Sequence, residues 1–335
     1  MLEKTVKILI TGVNGFIGKN VAHELYTIMG VEIIGVSVEE SCSFPEVKSY
    51  EQGDISDFVR MEAIFEKHRP DIVIHLAAIV HKKSLNATYE VFYKVNYLSS
   101  ENIFKLCRKY NVRKLLYSST VEVYDMCGSK IICEASEALP LSDYGKTKLM
   151  AEQALITLAE SSEMNYAVMR FAPVYGDDFT LNLDRRIYLV KGKLLYFFGD
   201  GSYFYNMCSI LNVVDFVKAF IAGSYPSGVY NISDTKNYSV KELVAFEKMK
   251  AAQKNGKKAP VSIRLPFYLT YIAIAIIEET LKIFNRKSII SVYNFRKIFR
   301  CTVFDNTKAA RIVGGIKWDI VSTLYGGGAE HEENT

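Results

Sequence analysis

The stretch Val6-Lys7-Ile8-Leu9-Ile10-Thr11-Gly12-Val13-Asn14-Gly15-Phe16-Ile17-Gly18 decides the fold. Val6–Thr11 is apolar and β-branched, long enough for a buried strand and too short for a helix. Three glycines spaced by three follow at once, and a helical pattern through Val21, Leu25 and Ile28 comes next. Glycine lets the backbone turn sharply and approach a pyrophosphate with no Cβ in the way. The helix N-terminus then turns unpaired N–H groups and a positive dipole end toward phosphate. The strand-turn-helix setting is what raises a glycine pattern to a dinucleotide fingerprint.

Working outward, the helix is expected to close at Gly30, with a second strand at Val31–Val36. Apolar runs recur at Ile72–His75, Lys114–Tyr117 and Ala167–Arg170. Helical stretches separate them at Ser56–Lys67, Asn86–Tyr110 and Tyr144–Glu163. Alternation of this kind predicts an α/β fold, a Rossmann-type doubly wound parallel sheet with ligands at the strands' C-terminal edge. After Gly176 the rhythm breaks into loop and short elements to residue 212. Val213–Ser224 and Ser239–Lys250 then read as helices, and Gly228–Ile232 as a strand. The expected division is a dinucleotide-binding domain at 1–176, joined by parts of 205–235. A smaller C-terminal α/β substrate lobe follows at 177–325, and then a frayed tail, 326–335.

Composition narrows the class. Of 335 residues, 49% are hydrophobic and 23% charged, which is globular and excludes disordered, collagenous and coiled-coil chains. A net charge of +4 argues against a nucleic-acid binder. The six cysteines form no CxxC or Cys/His cluster, so no metal site is expected, and scattered thiols suit a reducing compartment. Charges in Met1–Val6 occupy the place of a signal peptide's apolar region, so a cytoplasmic protein is expected. The Lys248–Lys258 run reads as a solvated helix end. Leu265–Ile277 is the most apolar segment, below the ~20 residues of a spanning helix and ended by Glu278 and Glu279. It is expected as a core or interfacial helix rather than a membrane attachment.

Tyr144-Gly145-Lys146-Thr147-Lys148 puts Tyr144 and Lys148 on one helix face. A phenol with its usual pKa of ~10 is a poor base at neutral pH. A neighbouring ammonium and a positively charged nicotinamide lower that pKa. Tyr144 is then expected to take a proton from a hydroxyl as hydride leaves the same carbon, with Thr120 able to hydrogen-bond the same oxygen. The acid expected for the adenine ribose is missing at Val36 and Ser37. Glu39 substitutes if its loop bends back, and Lys19 is the candidate for a 2′-phosphate, so NAD and NADP both stay open. Asp54 suits an adenine amino group or a helix N-cap. His75 reads as a core histidine.

These residues resemble the extended short-chain dehydrogenase/reductases, the NAD-dependent epimerase/dehydratases. The resemblance rests on TGVNGFIG (11–18), GDI (53–55), HLAA (75–78), VN (95–96), SSTVEVY (118–124), YGKTK (144–148) and RFAPVYG (170–176). NVVDFVKA (212–219), GVYNIS (228–233) and FDNTKAARIVGG (304–315) continue it in the family's order. It implies Tyr144 as acid/base, Lys148 on the ribose and Thr120 as the hydroxyl partner, with Asn96 supporting a water chain. Cofactor contacts are expected at Gly12, Asn14, Gly15, Phe16, Ile17, Gly18, Ser37, Asp54, Ile55, Leu76, Ala77, Ala78, Asn96, Ser118, Phe171 and Val174. Substrate contacts are expected at Glu122, Lys82, Arg185 and Arg186, with Lys191 and Lys193 nearby. The family also implies a homodimer through helices like 86–110 and 143–163.

Departures from the family pattern weigh the reactions. Sugar 4,6-dehydratases carry Thr-Asp-Glu where this chain has Thr120-Val121-Glu122; Val121 cannot protonate a leaving hydroxyl, so a dehydratase is a lesser alternative, kept open by Glu122. A 4-epimerase of a nucleotide-activated sugar needs only Tyr144, Lys148, Thr120 and a retained NAD, and is the first expectation. A nucleotide-sugar 4-ketoreductase follows, and then a 3β-hydroxysteroid-dehydrogenase-like enzyme, suggested by RFAPVYG and the apolar segment. Pro173 replaces an asparagine common in the epimerases, and Tyr205–Ser209 lacks the arginine expected for a diphosphate. A non-catalytic dinucleotide sensor ranks last, because Tyr144, Lys148 and Thr120 are all present.

Overall fold

The computed structural model describes residues 5–42, 44–80, 88–124, 131–253, 259–284, 291–299 and 301–325. Lys82, the end of the basic run and the 326–335 tail lie outside them.

Seven parallel strands form the main sheet: β1 (Val6–Thr11), β2 (Val31–Ser37), β3 (Ser49–Gln52), β4 (Ile72–His75), β5 (Lys114–Thr120), β6 (Asn165–Phe171) and β7 (Gly228–Ile232). Their order is 7-6-5-4-1-2-3. Alternate side chains feed opposite faces. Ile8, Ile10, Ile72, Ile74, Leu116, Ala167 and Met169 join one buried cluster. Leu9, Val73, Leu115, Tyr117 and Val168 join the other. Both faces are covered by helices, which explains why the strands read as near-continuous apolar runs.

The covering helices are α1 (Phe16–Tyr26), α2 (Phe58–His68), α3 (Ser99–Lys109), α4 (Asp143–Ala159) and α5 (Ile210–Ala222). Helices α1 and α5 pack on the first face. Helices α2, α3 and α4 pack on the second. The strands' C-terminal ends share one edge, and the glycine loop leaves β1 there.

Several boundaries differ from the expectation. α1 stops at Tyr26, and Gly30, at φ 78°, turns the chain into β2 instead of capping the helix. The N-cap of α2 is Asp57, not Asp54; its carboxylate accepts from Arg60 N. The predicted helix over 86–110 is regular at Tyr89–Phe92, widens into a π turn at Tyr93–Leu98 and is regular again in α3. The Ser99 and Ser100 hydroxyls donate to the Lys94 and Asn96 carbonyls at 2.9 and 2.8 Å.

Beyond Gly176 the chain builds a smaller mixed sheet. Leu194–Phe198 pairs antiparallel with Tyr188–Val190 and parallel with Val261–Leu265. Its own core is aromatic, with Phe198, Phe267, Phe295 and Phe299 in mutual contact. Helix α6 (Val240–Gln253) starts with a reciprocal cap in which Glu242 and Ser239 serve each other's backbone N–H. Helix α7 (Phe267–Ile283) runs through Glu278 and Glu279 instead of ending there. Lys282 pairs with both glutamates, at 3.6 and 2.7 Å, so the acids stay on a helical turn with their counter-ion. α7 is not a core helix: only Ile274 is buried.

Candidate functional site

The glycine cradle is set by backbone geometry. Gly12 sits at φ 70°, and a Cβ there would lie 2.9 Å from Ala77 Cα. At Gly18 a Cβ would meet Val13 Cα at 2.7 Å, so α1 packs on the loop only with glycine. Gly15 is the N-cap of α1 and has no side chain to occupy the free N–H groups of Phe16, Ile17 and Gly18. Leu76, Ala77 and Ala78 are half-buried at the end of β4, facing this loop. Phe179 stacks on Phe16 at 4.6 Å and closes the far side.

Asn14 binds the bent-back loop after β2: its Nδ2 donates to the Ser41 carbonyl at 3.1 Å and to Glu39 at 3.4 Å. Ser37 donates to the same Glu39 carboxylate. Glu39 therefore stands beside the glycine loop. Lys19 is drawn away into an ion pair with Asp178. Asn14 Oδ1 is buried and has no hydrogen-bond partner among the described residues. Asp54 is exposed, with Oδ1 accepting from Ser56 N at 2.8 Å, while Ile55 is buried. Ser118, Phe171 and Val174 are buried at and just beyond the C-terminal ends of β5 and β6.

Asn96 explains the π turn. Its amide accepts from Ile79 N and donates to Ile79 O, both at 2.9 Å, clamping the chain just past β4. A regular helix would rotate this side chain away.

Tyr144 and Lys148 stand one turn apart near the start of α4, whose N-cap is Ser142. Thr120 ends β5, and its side chain hydrogen-bonds the Tyr144 phenol. Burial and then the Glu122 charge push that phenol above its usual range, and the Thr120 bond opposes them. Lys148 is 1% exposed, and its Nζ has no hydrogen-bond partner among the described residues. It rests 4.2 Å from the Tyr117 ring centroid. Burial lowers its pKa to about 7, with the Glu152 charge working against the shift. A buried ammonium with nothing to donate to is a place prepared for a ligand's oxygens. A dinucleotide ribose fits it, with the glycine cradle at the other end of the same edge.

His75 is a core residue with both ring nitrogens hydrogen-bonded, to Thr11 and Ser100 at 2.7 and 2.9 Å. Burial and then the Lys148 charge hold its pKa at about 3, so it is neutral.

On the substrate side, Glu122 accepts from the Ser142 hydroxyl at 2.9 Å, beside Tyr144. Arg186 is half-buried, with its guanidinium 4.8 Å over the Tyr205 ring. Burial lowers its pKa, and Tyr205, Tyr196 and Glu122 oppose this, so Arg186 is within electrostatic reach of Glu122. Arg185 is exposed on the same short helix, Leu181–Ile187. Lys191 is turned to Asp184 at 2.6 Å.

Sequence reasoning missed the frame behind the site. Arg170 on β6 pairs with Glu152 on α4 at 2.5 Å, and both are buried. Ser119 donates to the same Glu152. Arg170 also donates to Tyr124 at 2.7 Å, and Tyr124 donates to Asn231 on β7 at 2.8 Å. Glu152 lies one turn beyond Lys148. The only signal was charge inside otherwise apolar segments, which fits a surface position equally well.

The sequence profile of the NAD dependent epimerase/dehydratase family matches residues 8–233. A UDP-glucose 4-epimerase of Caenorhabditis elegans is 29% identical, over 77% of this chain and 86% of its own length. An N-acetyl-α-D-glucosaminyl-diphospho-ditrans,octacis-undecaprenol 4-epimerase of Escherichia coli O157:H7 is 26% identical, over 90% and 88%. A UDP-glucose 4-epimerase of Thermotoga maritima, solved with UDP-glucose, superposes with a TM-score of 0.72 over 95% of this chain and 96% of that one, at 24% identity. The Bordetella bronchiseptica enzyme WbmG, solved with NAD, gives 0.71 over 97% and 93%, at 20% identity. A profile spanning the cradle, the Tyr144–Lys148 turn and the last strand of the sheet shows that the chain belongs to the NAD dependent epimerase/dehydratase family.

Proposed function

We propose that the protein is an NAD-dependent 4-epimerase of a nucleotide-activated sugar. The observation that carries this reading is the buried Lys148 ammonium, with no hydrogen-bond partner among the described residues, one turn from a Tyr144 phenol bonded to Thr120. A bound dinucleotide would supply the acceptor for the hydride leaving the sugar carbon and the donor that returns it to the opposite face. Tyr144 takes the ring hydroxyl's proton as the C–H bond breaks, and gives it back on re-reduction. Thr120 holds the same oxygen. Lys148 binds the ribose hydroxyls, and its charge favours the phenolate. Glu39 beside the glycine loop favours a free ribose over a 2′-phosphate, hence NAD over NADP. Arg186 offers a charge-assisted bond to the diphosphate. Val121, buried where a dehydratase needs an acid, supports epimerisation over elimination.

The same chemistry on a sugar carried by a polyprenol diphosphate is the second reading. It is favoured by the E. coli relative, which aligns over 90% of this chain. The test is mass spectrometry of small molecules released on denaturation, followed by assay with UDP-hexoses and a polyprenol-diphosphate sugar. Near-stoichiometric NAD and interconversion of C4 epimers is the expected outcome. Tyr144→Phe should keep NAD and lose about 10²–10⁴-fold in turnover. Reversible NADPH consumption with a 4-keto sugar would instead identify a reductase.

A further inference from the structure

The outer face of α7 takes no part in the site or the core. Tyr268, Leu269, Ile272, Ile276 and Ile283 fall within one arc of about 100° at helical spacing. All five are exposed, Tyr268 by 77% and Ile283 by 80%, and Phe284 extends the stripe. The opposite face carries Phe267, Tyr271 and Ile274, which pack against the aromatic core. A contiguous apolar stripe of this kind marks an interaction surface.

Charge selects the occupant. From Lys248 to Phe304 the sequence carries twelve of the chain's forty-one basic residues and two of its thirty-seven acidic ones. The rest of the chain is net acidic. The two acids, Glu278 and Glu279, are held by Lys282. Arg264, just ahead of the helix, and Arg296, 5.8 Å from the Tyr271 ring, are exposed. A second copy docked here would bring two strongly positive segments together. An anionic surface with an apolar interior meets both features, since a flat amphipathic helix buries its apolar face at the headgroup boundary while basic neighbours meet acidic lipid. Among the described residues no helix is long and apolar enough to cross a membrane, so the helix would lie on the surface.

We propose that α7, with Arg264 and Arg296 beside it, docks the protein on an anionic phospholipid bilayer. The inference is independent of the sugar and the reaction assigned above. The test is co-sedimentation of the full chain with phosphatidylcholine vesicles containing 30% phosphatidylglycerol, and with pure phosphatidylcholine vesicles, at low and high salt. Binding to the anionic vesicles, weaker by about tenfold or more on pure phosphatidylcholine and in high salt, is expected. Ile272→Glu/Ile276→Glu should lose that binding while keeping circular dichroism and dinucleotide affinity. If the wild type stays in the supernatant, or the double variant sediments as well as the wild type, the proposal is wrong. Conversion of a wild-type dimer into a monomer by the double variant, with no vesicle binding, would assign the face to a second copy instead.

Discussion

Lys148 is held where its charge is costly. Its folded pKa of about 7 lies below the usual 10.5, so the ligand-free fold loses stability as pH falls from 10.5 toward 7 and recovers it above. Lys148→Met should therefore raise the unfolding midpoint of the ligand-free protein at pH 7.5, by an amount worth a few kcal/mol. The gain should vanish near pH 10.5, while turnover falls at least about 100-fold. Thermal scans at the two pH values check it. Gly12→Ala forces a side chain onto Ala77 and into positive φ, and should weaken dinucleotide binding with little change at Tyr144. Residues of this kind were legible in the sequence because their chemistry is local. Gly12, Tyr144 and Lys148 act through spacing along one turn or one helix. Glu152 and Arg170 were not legible, because what makes them matter is that they meet each other across two elements with no water between.

Among the elements, the π turn at Tyr93–Leu98 is the one whose irregularity does most. It aims Asn96 at both backbone groups of Ile79, fixing the chain just beyond β4. Asn96→Ala should cost two buried hydrogen bonds, and with them about tenfold in dinucleotide affinity, read by titration calorimetry. Apolar periodicity reads a π turn as ordinary helix, since the six residues Tyr93–Leu98 are too few to display a change of period. The outer edge of the sheet depends on another local device. Glu51 on β3 accepts from Arg60, Lys67 and His68 of α2 at 2.7, 2.7 and 2.8 Å. Burial pushes Glu51 up, but His68, Lys67 and Arg60 outweigh it and hold its carboxyl at about 2. Its stabilisation is thus complete above the ordinary 4.5 and is lost as pH falls from there toward 2. Glu51→Gln should lower the midpoint at pH 7 by an amount worth on the order of 2 kcal/mol and flatten the acid limb of the stability curve.

At the scale of the whole molecule, the Glu152–Arg170–Tyr124–Asn231 chain joins α4, β6, the turn after β5 and β7 through one buried line. Glu152→Gln leaves a guanidinium buried without its carboxylate and should cost about 3–5 kcal/mol in denaturant unfolding. Glu152→Leu with Arg170→Met, which removes both charges, should cost less. The alternation was legible at β1, β2, β4, β5 and β6, whose apolar runs stand out from the helical stretches around them, whereas β3 is the polar Ser49–Gln52. The small mixed sheet was not, since Tyr188–Val190 and Leu194–Phe198 are short and their partner, Val261–Leu265, comes only after β7 and α6. That same detour shapes how the protein is made. The chain leaves the main sheet at Phe171 and returns to it only at Gly228. At the ordinary pace of synthesis, the ribosome spends about 3–10 s on the residues between them. Until Gly228–Ile232 is made, the nascent sheet can have at most six strands, and β6 lacks the partner for the N–H and C=O groups of its open side. Translation stalled in this window would expose a sticky flank that the finished protein never shows, and the nascent chain would depend on a chaperone to shield it.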